Sequence, residues 1–260
     1  MPRSPGIALA AGLGLLAATP LPAQTSNEPT TNERIGAGAA PQRAFSVTGG
    51  ATLASQYRFR GLSFSDEDPA IQGTINLAHE SGAYAGAWAS SLDGFGAFDG
   101  ADAELDLYAG YRAGLGSGMT LDAGLLYYAY LGSDFDFVEP YASVSGTLGP
   151  ATAKVGAAFA PAQGSLGDES NLYVYGDLAA AVPTTGFTLK AHLGRSKGDT
   201  PLTPAGAYFD WLVGADYVAG PLTFGLSYVD TDLSPAEAAR GGARKDIVDA
   251  ALVATISASF

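Results

Sequence analysis

Residues 246–260 read DIVDAALVATISASF, and they show the clearest local pattern in the chain. Apolar side chains occupy every second position: Val248, Ala250, Leu252, Ala254, Ile256, Ala258 and Phe260. The positions between them include Asp249, Thr255, Ser257 and Ser259. A β-strand places alternate side chains on opposite faces. The segment is therefore predicted to be a strand with one apolar and one polar face.

The same period of two recurs along the chain from Phe45 onward, in runs broken by Gly, Pro, Asp and Ser. A tilted strand needs roughly 9–11 residues to cross a membrane, and the runs have about this length. They span residues 45–60, 70–80, 82–92, 102–113, 118–131, 137–148, 151–161, 170–182, 186–196, 207–219, 221–231 and 246–260.

The connections between these runs alternate between short turns and longer, mostly acidic loops. Such alternation is typical of outer-membrane barrels, with short periplasmic turns and long outer loops. We therefore predict an all-β fold, a transmembrane antiparallel up-and-down β-barrel of about twelve strands. A soluble β-sandwich would also alternate, but its solvent-facing positions would carry many Lys and Glu residues. Here those positions are mostly Ser, Thr, Tyr, Gln and Asp.

The composition excludes several classes of function. Thirteen Lys and Arg stand against 26 Asp and Glu, a net charge of −13, so nucleic acid is not an expected partner. Cysteine is absent, which excludes thiol nucleophiles and cysteine-type zinc sites. We predict no metal and no cofactor, because the acidic run 66–68 lacks calcium-loop spacing and the glycine-rich run 114–118 lacks a following helix.

The N-terminal region has the features of an export signal. Residues 1–23 combine Arg3, a short apolar run and a small residue before the expected cut, as in a signal peptide. Residues 24–44 are polar and aperiodic, which predicts a disordered periplasmic leader. The barrel would then comprise residues 45–260, in the outer membrane of a Gram-negative bacterium, with membrane lipid as its surroundings.

Several motifs carry a family resemblance. They are SQYRFRGLS (55–63), SD (65–66), PAIQG (69–73), YAGAWASS (84–91) and ELDLYAGY (104–111). Together they resemble the TorF-like putative porins of proteobacteria. The resemblance implies an outer-membrane barrel with a channel role and supplies no substrate. The ending on Phe260 resembles the C-terminal signal that such barrels present to the barrel assembly machinery. This machinery is therefore a further expected partner.

Strand parity predicts which side chains face lipid and which line the lumen. In the run 45–60, Tyr57 and Phe59 would face lipid, and Gln56, Arg58 and Arg60 the lumen. Two aromatic girdles are expected at the membrane interfaces. Their members would be Tyr57, Phe59, Trp88, Phe209 and Trp211 at one end, and Tyr84 and Tyr217 at the other.

A charged constriction is the main candidate site. Arg58 and Arg60 would face Glu104 and Asp106 across the lumen, with Asp249 beside the first strand. Separated opposite charges would orient polar solutes. The alternative is an internal salt-bridge lattice in which Arg58 or Arg60 pairs with Asp249. Further lumen-lining residues are Gln72, Asn76, Arg112, Asp122, Tyr128, Glu139, Tyr141, Lys154, Tyr173, Tyr175, Asp177, Lys190, His192, Asp210 and Asp216.

The expected function is passive passage of small hydrophilic solutes through a narrow channel, with acidic outer loops favouring cations. One alternative is a plugged barrel with a structural or surface-binding role. Ser234 and Glu237 have capping-box spacing, which predicts a short helix in the last outer loop. Catalysis is not expected, because the chain has two histidines and His192 has no serine or aspartate two positions away on its own strand.

Overall fold

The computed structural model describes residues 44–92, 100–240 and 246–260. The predicted signal peptide and nearly all of the predicted leader lie outside the described residues. Twelve antiparallel strands form a closed barrel. They are β1 (Phe45–Ala54), β4 (Ala70–His79), β5 (Ala83–Ser91), β6 (Ala103–Gly116), β7 (Met119–Leu131), β8 (Phe137–Leu148), β9 (Ala151–Gln163), β10 (Glu169–Ala181), β11 (Phe187–Gly198), β12 (Ala207–Ala219), β13 (Leu222–Thr231) and β14 (Ala251–Ser259).

Each barrel strand pairs with its neighbours in chain order, and β1 closes the cylinder by pairing with both β4 and β14. The seam with β14 joins Gly50–Ala54 to Thr255–Ser259. Beyond this segment, the Gly49 N–H donates to the Phe260 carbonyl at 3.0 Å, and the Phe260 N–H donates to the Gly49 carbonyl at 2.9 Å. The predicted twelve-stranded antiparallel barrel is confirmed.

The outer surface is apolar, as the alternating pattern predicted. Large apolar side chains point outward and are exposed along the strands, for example Ile71 at 70% and Leu252 at 66%. A surface of this kind around a whole molecule needs an apolar solvent. Among the described residues, no helix is long and apolar enough to cross a membrane.

The two ends of the barrel differ. At one end, called the turn end, strands are joined by short connections such as residues 80–82 and 149–150. At the other, called the loop end, the connections are longer and include residues 55–69 and 232–250. The last of these contains α1 (Pro235–Arg240), preceded by the predicted capping box. The Ser234 hydroxyl donates to Glu237 Oε2 at 2.6 Å, and the Glu237 N–H donates to Ser234 Oγ at 3.3 Å.

The first loop does not continue β1, which corrects the predicted run 45–60. β1 ends at Ala54, and two short strands, β2 (Arg58–Phe59) and β3 (Leu62–Ser63), form a hairpin outside the barrel sheet. Arg60 and Gly61 make its two-residue turn with φ of 48° and 83°. Two positive φ values are those of a type I′ turn, which suits the twist of a hairpin.

Candidate functional site: the barrel lumen

The hairpin of residues 56–65, called the plug hairpin below, lies inside the barrel at the loop end. Its side chains are buried on both faces, from Gln56 through Ser65. Tyr57 packs on the inward-facing Trp88, with ring centroids 5.3 Å apart. Phe59 lies 5.9 Å from the ring of Tyr128 on β7. The loop end of the lumen is therefore filled by folded chain.

The other loops complete this packing. Buried apolar side chains from the five remaining loops belong to the same cluster as the plug hairpin: Leu92, Ala101, Phe135, Leu166, Leu202, Leu233, Ala238, Ile247 and Val248. The fully buried Tyr128 stacks on Phe137, with centroids 4.3 Å apart. The plug hairpin is thus enclosed by the strands around it and by the loops above it.

Arg58 anchors the plug hairpin to the last loop through backbone oxygens. Its Nη1 donates to the carbonyls of Gly61, Ile247 and Asp249, at 3.2, 3.1 and 2.8 Å. Its Nε donates to Gln56 Oε1 at 2.6 Å, and its Nη2 lies 3.3 Å from Glu67 Oε1. The predicted pairing of an arginine with the Asp249 carboxylate is therefore wrong in detail, because Asp249 is exposed and contributes its carbonyl.

Arg60 anchors the plug hairpin to the barrel wall. Its Nη2 donates to Glu139 Oε2 at 2.6 Å, and both side chains are almost completely buried. The guanidinium also lies over the rings of Phe59 and Tyr173, at 4.7 and 4.2 Å from the centroids. Glu139 in addition accepts a hydrogen bond from the Tyr128 hydroxyl at 3.1 Å. A buried pair with this support is sensitive to the loss of either partner.

The predicted constriction is partly rearranged. Glu104 and Asp106 face inward from β6 and are fully buried, as expected from parity. Arg58 and Arg60 lie in the plug hairpin rather than on the β1 wall, and Arg60 pairs with Glu139.

The predicted aromatic girdle is also corrected. Tyr57 and Phe59 lie inside the barrel and do not face outward, because the chain leaves the wall after Ala54. The expected girdle members Trp88 and Tyr84 likewise face inward, whereas Phe209 and Tyr217 are exposed on the outer surface.

The turn-end half of the lumen carries ion pairs across neighbouring strands. Arg112 Nε lies 2.9 Å from Asp122 Oδ2, Lys154 Nζ lies 3.4 Å from Asp177 Oδ2, and Lys190 Nζ lies 2.7 Å from Asp216 Oδ1. The Arg112 and Asp122 side chains are 20% and 18% exposed, in contrast to the nearly inaccessible Arg60–Glu139 pair. Accessible charge in the lumen is thus found below the plug hairpin.

His192 lies between two carboxylates of neighbouring strands. Its Nδ1 is 2.6 Å from Asp177 Oδ1, and its Nε2 is 3.2 Å from Asp210 Oδ1 and 2.7 Å from the Tyr173 hydroxyl. These cross-strand partners were not predicted, since strand parity says nothing about register between strands. No group of three or more His, Cys, Asp or Glu side chains in the described part of the chain is arranged to hold a metal ion.

The remaining arc of the lumen, from β13 through β14 and β1 to β5, is lined by neutral groups, most of them polar, together with an apolar cluster of Val229, Ala251 and Val253 that packs on Leu212 of β12. Gln72 donates to the Ser90 hydroxyl at 3.4 Å, and the Tyr108 hydroxyl donates to Asn76 Oδ1. The hydroxyls of Thr52 and Ser257 are 2.9 Å apart across the closing seam. Gln72 and Asn76 therefore face inward as predicted.

Several inward tyrosines lie flat against the wall, each over a glycine of an adjacent strand. Tyr175 on β10 covers Gly156 on β9, where a Cβ would stand 2.4 Å from the Tyr175 hydroxyl. In the same way, the Tyr108 ring lies over Gly86 and the Tyr84 ring lies over Gly110. A glycine directly beside an inward tyrosine therefore keeps that ring out of the bore.

The plug hairpin carries a signal that parity alone missed. Arg60-Gly61 is a two-residue turn, flanked by apolar residues at Tyr57, Phe59, Leu62 and Phe64. Alternating apolar residues on both sides of a residue followed by glycine are typical of a β-hairpin. The pairing of β2 with β3 apart from the barrel sheet, and the burial of both faces, distinguish this hairpin from an extension of β1.

Comparison with known proteins places the chain in a family. Residues 38–260 match the family described as "Bacterial protein of unknown function (Gcw_chp)". The chain belongs to the Gcw_chp family. No curated protein sequence matches this Gcw_chp chain significantly. The family description does not carry the TorF-like name, so that finer assignment stays a prediction.

Solved structures similar to this Gcw_chp chain include two porins. The NanC porin has a TM-score of 0.55 and 12% identity, covering 83% of this chain and 99% of that chain. The KdgM porin, in complex with disordered oligogalacturonate, has a TM-score of 0.52 and 7% identity, covering 82% of this chain and 97% of that chain. At these identities the similarity shows the fold, a porin-like barrel.

Proposed function

We propose that this Gcw_chp chain is a TorF-like channel of the Gram-negative outer membrane that passes small hydrophilic solutes. The barrel assembly machinery would insert it by recognising the end at Phe260, whose side chain is 83% exposed. The turn end would face the periplasm and the loop end the exterior, as in other outer-membrane barrels. The proposal includes no cofactor, metal or nucleic acid.

The accessible ion pairs below the plug hairpin carry this proposal. Charged side chains that are partly accessible inside a barrel with an apolar exterior favour a water-filled passage over a dry core. A twelve-stranded barrel lies between the filled eight-stranded and the open sixteen-stranded barrels, so its bore is narrow. Solutes would have to be small and polar.

The plug hairpin would set the size of the opening. It is joined to the wall by Arg60–Glu139 and by the packing of Tyr57 and Phe59, and to the last loop by Arg58. Movement of this hairpin away from Glu139 would widen the loop end of the bore. Conduction in the proposal therefore depends on how often these contacts open.

The charges favour cations. The accessible charges of the described lumen are paired, Arg112 with Asp122 and Lys154 with Asp177, so they contribute little net charge. The negative charge lies at the loop-end rim, in the exposed acids Glu67, Asp68, Asp134, Asp168 and Glu169. Such a distribution raises the local concentration of cations.

Planar-bilayer recording of the purified protein tests the proposal. The expected result is a small conductance in the wild-type protein, with a reversal potential that favours cations under a salt gradient. A variant in which residues 55–69 are replaced by a four-residue Gly-Ser turn should conduct several-fold better. This turn is feasible because Ala54 and Ala70 are paired partners. Ala205→Ser, at an exposed and uncharged position of another loop, serves as the control and should leave the conductance unchanged.

A plugged, non-conducting barrel is the second candidate, favoured by the complete burial of the plug hairpin. It predicts no wild-type conductance at any voltage, although the shortened variant conducts. If neither protein conducts while both are folded, the channel proposal is wrong.

Absence of enzymatic activity is part of the proposal. His192 contacts Asp177 and Asp210, so it has the aspartate partners that its own strand did not supply. Its side chain is buried, however, and a buried imidazole is not placed to exchange a proton with a substrate. A His192→Gln variant that loses a lipid- or peptide-hydrolysing activity of the wild-type protein would contradict it.

A further inference from the structure

Strand β11 ends in two cations that face away from the lumen. Arg195 and Lys197 are exposed, whereas the alternate residues Gly194 and Ser196 are buried inside. Leu193, two residues before Arg195, is exposed on the same outer face. The side chains of Arg195 and Lys197 therefore project from the apolar outer wall of the barrel.

This placement is unusual within the chain. Five cationic residues lie on the barrel strands in the part of the chain that the structure describes. Three of them, Arg112, Lys154 and Lys190, face the lumen in ion pairs. Arg195 and Lys197 face outward, and no described carboxylate lies within ion-pair distance of either side chain.

The height of the two residues matches a membrane interface. The outward rings of Phe187 and Tyr217, with centroids 4.7 Å apart, mark the turn end of β11. Arg195 is eight residues further along the strand, which at the usual rise and tilt is about 20 Å along the membrane normal. Lys197 would be about 5 Å higher. The apolar band of such barrels is about 25 Å tall, so both cations lie at its opposite edge.

The arginine is held in position by a neighbouring ring. Its guanidinium carbon lies 5.1 Å from the centroid of Phe209, the paired residue on β12. Contact with an aromatic face restricts the guanidinium and leaves its N–H edge available. Lys197 is two residues away on the same face, about 7 Å along the strand. A planar donor and a point charge at this spacing suit an oxyanion that carries several oxygens.

We propose that Arg195 and Lys197 form a binding site for the phosphate group of a membrane lipid in the leaflet around the loop end. We assign a lipid as the ligand because both side chains lie directly above the apolar wall, where acyl chains would contact Leu193 and Val213. A free phosphate ion has no acyl chain and would make no favourable contact with that wall. The proposal rests on the barrel spanning a membrane and is independent of whether the lumen conducts.

Lipid titration followed by native mass spectrometry of the detergent-solubilised full chain tests the site. The probes are phosphatidic acid, whose phosphate is a monoester, phosphatidylcholine of the same acyl chains, and inorganic phosphate. Wild-type protein should bind phosphatidic acid more tightly than phosphatidylcholine. Each of Arg195→Gln and Lys197→Gln should weaken phosphatidic acid binding about fivefold, and the double variant ~25-fold.

Arg240→Gln is the matched control, because Arg240 is also an exposed cation at the loop end but lies on α1 above the barrel wall. It should bind phosphatidic acid like the wild type. Lys197→Arg should retain binding, which separates loss of charge from a folding defect.

Equal binding of phosphatidic acid by the double variant and the wild type would overturn the site. Equal binding of both lipids by the wild type would overturn it as well. If inorganic phosphate at equal concentration displaces phosphatidic acid completely, the lipid assignment is wrong and the site is one for free anions.

Discussion

Arg60 and Glu139 are 79 residues apart in the chain and meet at 2.6 Å inside the barrel, with side chains 3% and 2% exposed. One belongs to the plug hairpin and the other to the wall strand β8. This pair joins the plug hairpin to the barrel wall.

Loss of Arg60 should destabilise the barrel more than neutralisation of the whole pair. Arg60→Ala leaves Glu139 buried without its cation, a loss that typically costs about 3–5 kcal/mol. The double variant Arg60→Met with Glu139→Gln removes both charges at similar volume and should cost much less. Urea unfolding in detergent or lipid vesicles measures both. Equal loss in the two variants would show that the pairing itself is unimportant.

Gly61 should tolerate no side chain. Its φ is 83°, and a Cβ there would lie 2.4 Å from Thr231 Cγ2 and 2.9 Å from Asp210 Cβ. Gly61→Ala should cost about 1–3 kcal/mol and raise the bilayer conductance as the plug hairpin is pushed from the wall. Gly206→Ala is the control, because Gly206 also has positive φ but no atom near its Cβ position. A Gly61→Ala protein that behaves like this control would refute the close packing of the turn.

Gly156 should be needed for the position of Tyr175. In Gly156→Ala the new methyl group overlaps the tyrosine ring, so we expect about 1–3 kcal/mol of destabilisation and a changed near-ultraviolet circular dichroism. Gly176→Ala, with its nearest neighbour at 3.7 Å, should change neither. An unchanged spectrum in Gly156→Ala would mean that the ring does not depend on this glycine.

The α1 helix should loosen in acid. Hydrogen bonds from the Ser234 hydroxyl and N–H lower the pKa of Glu237 below its ordinary 4.5. Because the folded-state pKa is the lower one, the stabilisation is present above pH 4.5 and is lost as the pH falls through the folded value. The protection factors of the amides of residues 236–240, which are observed exchange rates divided into the intrinsic rates at each pH, should therefore fall in acid. In Ser234→Ala the protection factors should be lower at neutral pH and depend less on pH; identical profiles in the two proteins would refute the capping role.

The wall of the barrel could be predicted from the sequence because one face of each strand is apolar and forms the outer surface. That single requirement imposes a period of two on segments such as residues 251–259, and it places Glu104, Asp106 and Gln72 inside without knowledge of their partners. The alternating loop lengths then determine which ends of the strands lie together.

The plug hairpin could not be read in this way, since the lumen surrounds it on all sides. Tyr57 and Arg58 differ in parity and polarity, yet both are buried. Parity also cannot align one strand with another, which is why Glu139 and Asp210 were expected in the lumen but not as partners of Arg60 and His192. The register between strands decides such contacts.

The contacts of Arg58 constrain the order in which the protein can be assembled. Its carbonyl partners at Ile247 and Asp249 immediately precede β14, the strand that completes the cylinder against β1. The hairpin is synthesised nearly two hundred residues earlier. The Arg58 contacts therefore cannot form until the residues just before the last strand have been made and brought to the loop end, so the hairpin waits for the closing strand to complete its attachments.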